Sequence, residues 1–315
     1  MTLLKATLAS TLAFSQIAVG LPVLGKEVFH RLKVDETRRS FRVHVPKGYN
    51  GTDALPMVLV LHGALSNSFN VGFASKMSRK ADKDRFFAVY PVGSGYIGGW
   101  FKTWNAGSCC GPARRRQVDD IAYIRQVIET MEAKYSVDPD RIYVTGMSNG
   151  AMMTYRIGIE LADKVAAIAP VEGTMICKSE QSVLSSPVSV IAFHGEKDRV
   201  VPIEGGTGRW LTYRFQTRSA DESIKYWIEQ NQCSSEPVIE KSDGVLKESY
   251  ENDKGDAEVV LYRVRDGGHT WPGGPGIPYI WPVSKKVSAT DAMCEFFWKH
   301  PKVRSKAEAV AEDKL

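Results

Sequence analysis

No run of 18 consecutive apolar residues occurs in this 315-residue chain, so no segment reads as a membrane-spanning helix. An excess of one charge is missing too. The 41 Lys and Arg stand against 36 Asp and Glu, and a net +5 is too small to argue for nucleic acid as a partner. Dense basic sequence is confined to Arg114-Arg115-Arg116, which is narrower than a phosphate-binding face and reads as a solvated loop. Cysteine is sparse. Cys109, Cys110, Cys177, Cys233 and Cys294 are too few for a disulfide scaffold but enough for one or two bridges, and an odd count leaves at least one thiol free or paired outside the chain. Neither a CxxC spacing nor a histidine near Cys109-Cys110 is present, so no metal centre is expected. Internal repeats, low-complexity tracts and linkers are lacking as well, which favours one large unit over two domains.

The N-terminus has a distinct composition. Met1 to Lys5 gives a short, weakly basic start, Ala6 to Val19 is an apolar run rich in small residues, and Ala18 and Gly20 suit a signal-peptidase site. Residues 1–20 therefore read as a secretory signal, placing the mature chain in an extracellular or periplasmic space. Residues 21–301 read as a single folded unit and 302–315 as a charged, frayed tail.

From Val28 to Val45 the apolar residues Phe29, Leu32, Val34 and Phe41, Val43, Val45 alternate with polar ones around Asp35-Glu36-Thr37, the pattern of an antiparallel hairpin at a sheet edge. Near-continuous apolar runs follow at 55–61, 86–90, 142–145, 165–169, 188–193 and 259–264, as expected of strands covered on both faces. Helical periodicity separates them at 119–135, 151–162, 221–230 and 288–300. In the first of these, Ile121, Ile124, Val127, Ile128 and Met131 share a face, and Asp119 and Asp120 stand where they can cap the N-terminus. Strand and helix in alternation predict a mostly parallel sheet with crossover helices on both faces. Two Gly/Pro/aromatic segments, 92–112 and 267–282, are too long for simple connections, and long loops in compact domains usually serve function.

Gly146-Met147-Ser148-Asn149-Gly150 lies between a hydrophobic strand and a helix, the context of a G-x-S-x-G nucleophile elbow. A serine on such a turn has an unfavourable backbone conformation, and small residues two before and two after let neighbouring chain come close. Its hydroxyl is a poor nucleophile at neutral pH and needs an imidazole as base, oriented by a carboxylate. In this arrangement acid and base follow the serine in that order, each on a loop after a later strand. Asp198 stands after the 188–193 strand; Glu196 is its rival, and the shorter carboxylate, with Val201-Pro202 shortly after it, fits the loop better. His269 stands after the 259–264 strand. His30 and His44 lie in the N-terminal hairpin, His194 ends a strand before the acid, and His300 sits in the last helix. His62-Gly63-Ala64 ends the strand expected to supply the second oxyanion donor, so the backbone N–H groups of Ala64 and Asn149 are the candidate oxyanion hole and His62 itself reads as structural.

Flat rings crowd the two long loops: Tyr96, Trp100, Phe101 and Trp104 in one, Trp271, Tyr279 and Trp281 in the other. Among them Trp100, Trp104 and Trp271 are the candidates to line an acyl or sugar pocket.

Taken in order, Leu61-His62-Gly63, Thr103-Trp-Asn-Ala-Gly107 with Cys109-Cys110-Gly111, Val118-Asp119-Asp120, Gly146 to Gly150, His194-Gly195 with Asp198, and Gly268-His269-Thr-Trp-Pro272 make the chain resemble secreted esterases of the polyhydroxybutyrate depolymerase and feruloyl esterase family, related to carbohydrate esterase family one. The likeness spans residues 28–300. It implies an α/β-hydrolase fold and a serine esterase with a Ser148, Asp198, His269 triad, no metal and no cofactor. It further implies an ester substrate: feruloyl or acetyl groups on plant polysaccharide, or short hydroxyalkanoate esters. Nothing in the residues separates ester from amide cleavage, so a peptidase on the same scaffold is the alternative enzyme. A non-catalytic binding protein is the alternative outside enzymes, and it would have no chemical need to retain all three triad residue types in order.

Overall fold

The computed structural model describes residues 25–34, 37–95, 101–176, 183–210, 213–276 and 283–303. The signal-like segment 1–20, Trp100, Tyr96, Cys177, Tyr279, Trp281 and all but the first two residues of the tail lie outside them.

In chain order the elements are β1 (Lys26–Val34), β2 (Thr37–Val45), β3 (Leu55–Leu61), α1 (Ser68–Ser75), α2 (Met77–Asp84), β4 (Phe87–Pro91), α3 (Gly111–Arg115), α4 (Asp120–Lys134), β5 (Val137–Met147) and α5 (Asn149–Glu160). They continue with β6 (Ala167–Val171), β7 (Ser189–Gly195), β8 (Gly206–Trp210), β9 (Tyr213–Thr217), α6 (Ala220–Gln230), β10 (Val238–Ser242), β11 (Val245–Glu251), β12 (Glu258–Val264) and α7 (Ala289–Lys299). Ten strands form one sheet in the order β1-β2-β4-β3-β5-β6-β7-β12-β11-β10, and β8 pairs with β9 as a separate ribbon. From β4 to β12 every neighbour is parallel. Both edges are antiparallel: β1 and β2 at one side, β10 and β11 at the other. The first edge is the expected hairpin, whereas the second was not apparent in the sequence. β10 is exposed along its whole length and its Val-Ile-Glu-Lys-Ser carries no buried stripe to mark it.

The central strands read as continuous apolar runs because both faces are covered. Along β3, Met57, Leu59 and Leu61 enter one core, while Val58 and Val60 enter the other. The first core also holds the buried faces of α4, α5 and α6, including Ile124, Ile157 and Trp227; the second holds those of α2 and α7, including Met77 and Phe297. Asp119 caps α4 by accepting from Ala122 N–H at 2.9 Å. Asp120, expected to share that task, instead turns inward, fully buried, to bond Arg39 at 2.7 Å and Asn105 N–H at 2.8 Å.

At the junction of β3, β5 and α5 the backbones nearly touch. A Cβ on Gly150 would lie 2.5 Å from Leu61 O and 2.6 Å from His62 O, and one on Gly146 would lie 2.6 Å from the Gly150 carbonyl. These contacts, against backbone that cannot swing aside, account for the two glycines of the elbow. Gly150→Ala should therefore cost about 2–3 kcal/mol of stability, as overpacked positions do, read as a lower urea midpoint at unchanged m-value. A variant as stable as the parent would show that the two segments part freely.

Candidate active site

Ser148 sits where β5 gives way to α5, with φ 58° and ψ −121°. Few non-glycine residues adopt this conformation, and it persists only where surrounding structure enforces it. Here Ser148 N–H donates to Val171 O on β6 at 3.0 Å, and the Gly146–Gly150 approach fixes the other side. The strain turns the side chain out of the strand into a cleft of about 600 Å³ that it shares with Gly63, Ala64, Met147, His269 and Trp271.

The acid and base loops meet by a second close backbone approach. A Cβ on Gly195 would lie 2.4 Å from the carbonyl of Gly267, and Lys197 N–H donates to Gly267 O at 2.8 Å. This locks the loop after β7 to the loop after β12. Asp198 and His269 are thereby joined: His269 Nδ1 lies 2.7 Å from Asp198 Oδ2. The other oxygen, Oδ1, accepts from Val200 and Val201 N–H at 2.8 and 2.9 Å. Burial alone would raise the pKa of Asp198, but the His269 hydrogen bond and charge, followed by the His194 ring and the Val201 N–H, hold it below the ordinary carboxylate value. Such an anion fixes the Nδ1–H tautomer, which leaves Nε2 of His269 for proton transfer. Glu196 is exposed, and among the described residues Asp198 is the carboxylate bonded to His269.

The two candidate backbone donors lie on the segments next to Ser148. Ala64 lines the cleft, and Asn149 N–H opens α5 directly after Ser148. Neither N–H has an acceptor among the described residues. A brace holds both segments. Trp104 N–H donates to Asn149 Oδ1 at 2.7 Å, Asn149 Nδ2 returns a bond to Trp104 O at 3.1 Å, and Trp104 Nε1 donates to His62 O at 2.9 Å. The expectation that Trp104 lines the pocket is thus corrected: its ring is fully buried between His62 and Tyr123, and its bonds tie the two donor segments together. Trp271 does line the cleft, its Nε1 bonded to Thr290 at 2.9 Å, while Trp100 lies outside the described residues.

The remaining histidines are engaged elsewhere. His62 Nδ1 donates to Gly63 O at 2.8 Å and Nε2 accepts from Gly93 N–H at 3.0 Å, an arrangement that requires a neutral ring. His30 bonds Tyr135, His44 bonds Glu27 and Asp82, and His300 bonds the Phe296 carbonyl. His194 gives its Nε2 proton to Val201 O at 2.8 Å. Cys109 and Cys110 are disulfide-bonded to each other, and Cys233 and Cys294 form no disulfide with any described residue.

Sequence reasoning missed much of the cleft wall. Phe73 and Ala74 on α1, Phe215 on β9, Val200 and Pro275 contribute to it. α1 is eight residues long and its apolar Phe69 and Phe73 point to solvent, so its period carries little of the usual inward stripe.

Sheet order, the conformation of the turn at Ser148 and the placement of Asp198 and His269 after later parallel strands define the α/β-hydrolase fold. A family model described as phospholipase/carboxylesterase matches residues 53–209. Feruloyl esterase B of Piromyces equi is 31% identical over 73% of this chain, and the alignment spans 42% of that protein's length. Poly(3-hydroxyalkanoate) depolymerase C of Paucimonas lemoignei is 26% identical over 74% of this chain and 58% of its own. Among solved structures, an acetyl xylan esterase from Aspergillus awamori shares the fold at 15% identity and TM-score 0.60, covering 86% of this chain and 99% of that one. The chain has the α/β-hydrolase fold and is similar in sequence to feruloyl esterases and to a poly(3-hydroxyalkanoate) depolymerase. No helix among the described residues is long and apolar enough to cross a membrane.

Burial pushes the pKa of His62 down to about 4 from its ordinary 6.5. Between those values the unfolded chain binds a proton that the folded chain refuses, so this part of the stability is complete above pH 6.5 and is lost as pH falls toward 4. At pH 5 the loss from His62 is about 2 kcal/mol. Urea unfolding at pH 7 and pH 5 should show a loss of about this size at the lower pH, and the His62 ring resonances should stay unshifted over the same range. A His62 that titrates near 6.5 would contradict this account.

Proposed function

We propose that this chain hydrolyses carboxylic esters by acyl transfer to Ser148. His269 takes the serine proton as Ser148 Oγ attacks the ester carbonyl, then passes it to the departing alcohol; Asp198 orients the ring and stabilises the imidazolium. Ala64 and Asn149 N–H groups receive the negative oxygen of the tetrahedral intermediate, each worth about 3 kcal/mol of barrier by analogy with other oxyanion donors. Water, activated by the same imidazole, then releases the acyl group. The observation that carries this reading is a strained serine and an aspartate-bound histidine opening on one cleft, beside two backbone N–H groups that no described residue satisfies. As part of the same reading, residues 1–20 act as a secretory signal, supported by their basic start and small apolar run.

For the acyl group, the cleft favours an apolar and flat one. Phe73, Phe215, Trp271, Val200 and Pro275 face it, so a phenolic acyl group would meet ring and aliphatic surface. The relatives named as feruloyl esterases accord with this wall, and we place aromatic acyl esters ahead of acetyl and hydroxyalkanoate esters.

Ser148→Ala should lower turnover of p-nitrophenyl acetate by about 10⁴-fold or more while circular dichroism stays unchanged. The parent should cleave small esters and leave aminoacyl anilides intact; comparable rates on both would favour the peptidase reading. Phe73 is 70% exposed, so its truncation spares the core. Phe73→Ala should lower kcat/KM about tenfold for methyl ferulate and less than about threefold for p-nitrophenyl acetate. Equal losses on both substrates would count against an aromatic acyl site.

A further inference from the structure

Behind the proposed triad lies a second carboxyl group that the acyl-transfer cycle leaves unused. Glu172 follows β6, the strand next to the one that carries Ser148, and its φ of 50° sets a non-glycine residue in the left-handed region. Its N–H donates to Phe193 O on β7 at 2.9 Å, and its side chain is fully buried. Oε2 accepts from Gly195 N–H at 3.0 Å, while Oε1 has no hydrogen-bond partner of the ordinary donor kind among the described residues. An oxygen of Glu172, an oxygen of Asp198 and a ring nitrogen of His194 all lie within 4.8 Å of one another. His194 cannot serve Glu172 as a donor through Nε2, whose proton goes to Val201 O.

Two carboxyl groups in one buried site do not both ionise. Donor count decides which keeps the proton. Asp198 receives three N–H bonds, from Val200, Val201 and His269, whereas Glu172 receives one. The neutral acid then needs an acceptor for its own proton, and the Asp198 carboxylate is the acceptor at hand.

We propose that Glu172 is a protonated positioning residue, donating its acid proton to Asp198 and thereby setting the basicity of His269. This rests on the reading of Asp198 and His269 as acid and base. Burial, followed by the negative charge of Asp198 and a hydrogen bond to it, holds the Glu172 carboxyl well above the usual carboxylate range. The titratable groups facing Glu172 are Asp198 and His194; His194 is itself kept neutral chiefly by burial, with the charges of His269 and Arg263 adding to the same effect. A donor on Asp198 weakens its pull on the imidazolium, so His269 is less basic than it would be beside a lone aspartate.

The test is the pH profile of kcat/KM for p-nitrophenyl acetate in the full chain and in two variants of similar volume. Glu172→Gln keeps a donor toward Asp198 and an acceptor for Gly195 N–H; it should retain kcat/KM within about threefold and leave the acid limb in place. Glu172→Met removes the donor and should move the acid limb up by about one pH unit. A downward shift in Glu172→Gln would mean an ionised glutamate and would overturn the proposal, as would unchanged limbs in both variants. Should Glu172→Met fold poorly, the Glu172→Gln profile still decides between the neutral and the ionised acid. Failure of the triad reading would appear separately, as retained turnover in Ser148→Ala or Asp198→Asn.

Discussion

The site depends on how closely three stretches of backbone can approach. Where β3 ends against the start of α5, the space between Gly150 and the carbonyls of Leu61 and His62 does not admit a methyl group. That contact stops the chain from relaxing at Ser148, whose φ of 58° would otherwise revert to an ordinary value and withdraw the hydroxyl from the cleft. The same contact places the N–H of Asn149 beside the segment that carries Ala64, so one steric constraint orients the proposed nucleophile and assembles its oxyanion donors. The conformational cost at Ser148 is offset by the packed sheet on either side, where β3 and β6 are buried throughout and β5 is buried from Ile142 to Gly146.

The proposed acid and base, Asp198 and His269, are held by a device of the same kind. Gly195 and Gly267 approach so closely that the loops after β7 and β12 are fixed against each other, and the 2.7 Å bond between Asp198 and His269 follows from that register. Around it the polar groups are unevenly supplied. Asp198 is bonded on both oxygens, Glu172 on one, and His194 gives its proton away from both. In a buried site such an imbalance sets proton positions more firmly than distance does, because each ionised oxygen without a donor carries a desolvation cost of its own.

The parallel strands and long helices were legible because both signals are periodic and long: β3 was expected at 55–61 and is found there, and α4 was expected at 119–135 and spans 120–134. The elbow was legible because its glycines answer a local steric need. Trp104 was misread. A ring in a long Gly/Pro/aromatic segment looks the same in sequence whether it faces a substrate or, as here, donates to His62 O from inside the core. The ribbon of β8 and β9, the exposed β10 and the short α1 gave no clear period. Glu172 left no signal at all, since a lone Glu in Val-Glu-Gly reads as an ordinary loop residue and acquires its meaning only from neighbours brought in from β7 and the loop beyond.

This division has a physical reason. The proposed chemistry is carried by backbone at the ends of parallel strands, which the sheet holds at fixed spacing whatever lies above it. The cleft wall comes from α1, the β9 strand and the loops near Pro275 and Val283, elements with few partners and much exposed apolar surface, such as Phe73 at 70% and Phe69 at 60%. Changes there alter which acyl group packs well while leaving the elbow, the Trp104 brace and the Gly195–Gly267 contact untouched. A family built this way can keep one reaction while its acyl preference drifts, so relatives named for feruloyl, acetylxylan and hydroxyalkanoate esters can share this one scaffold. On the proposed reading, the acyl preference of this chain belongs to Phe73, Phe215 and Trp271, which line the cleft, rather than to Ser148, Asp198 and His269.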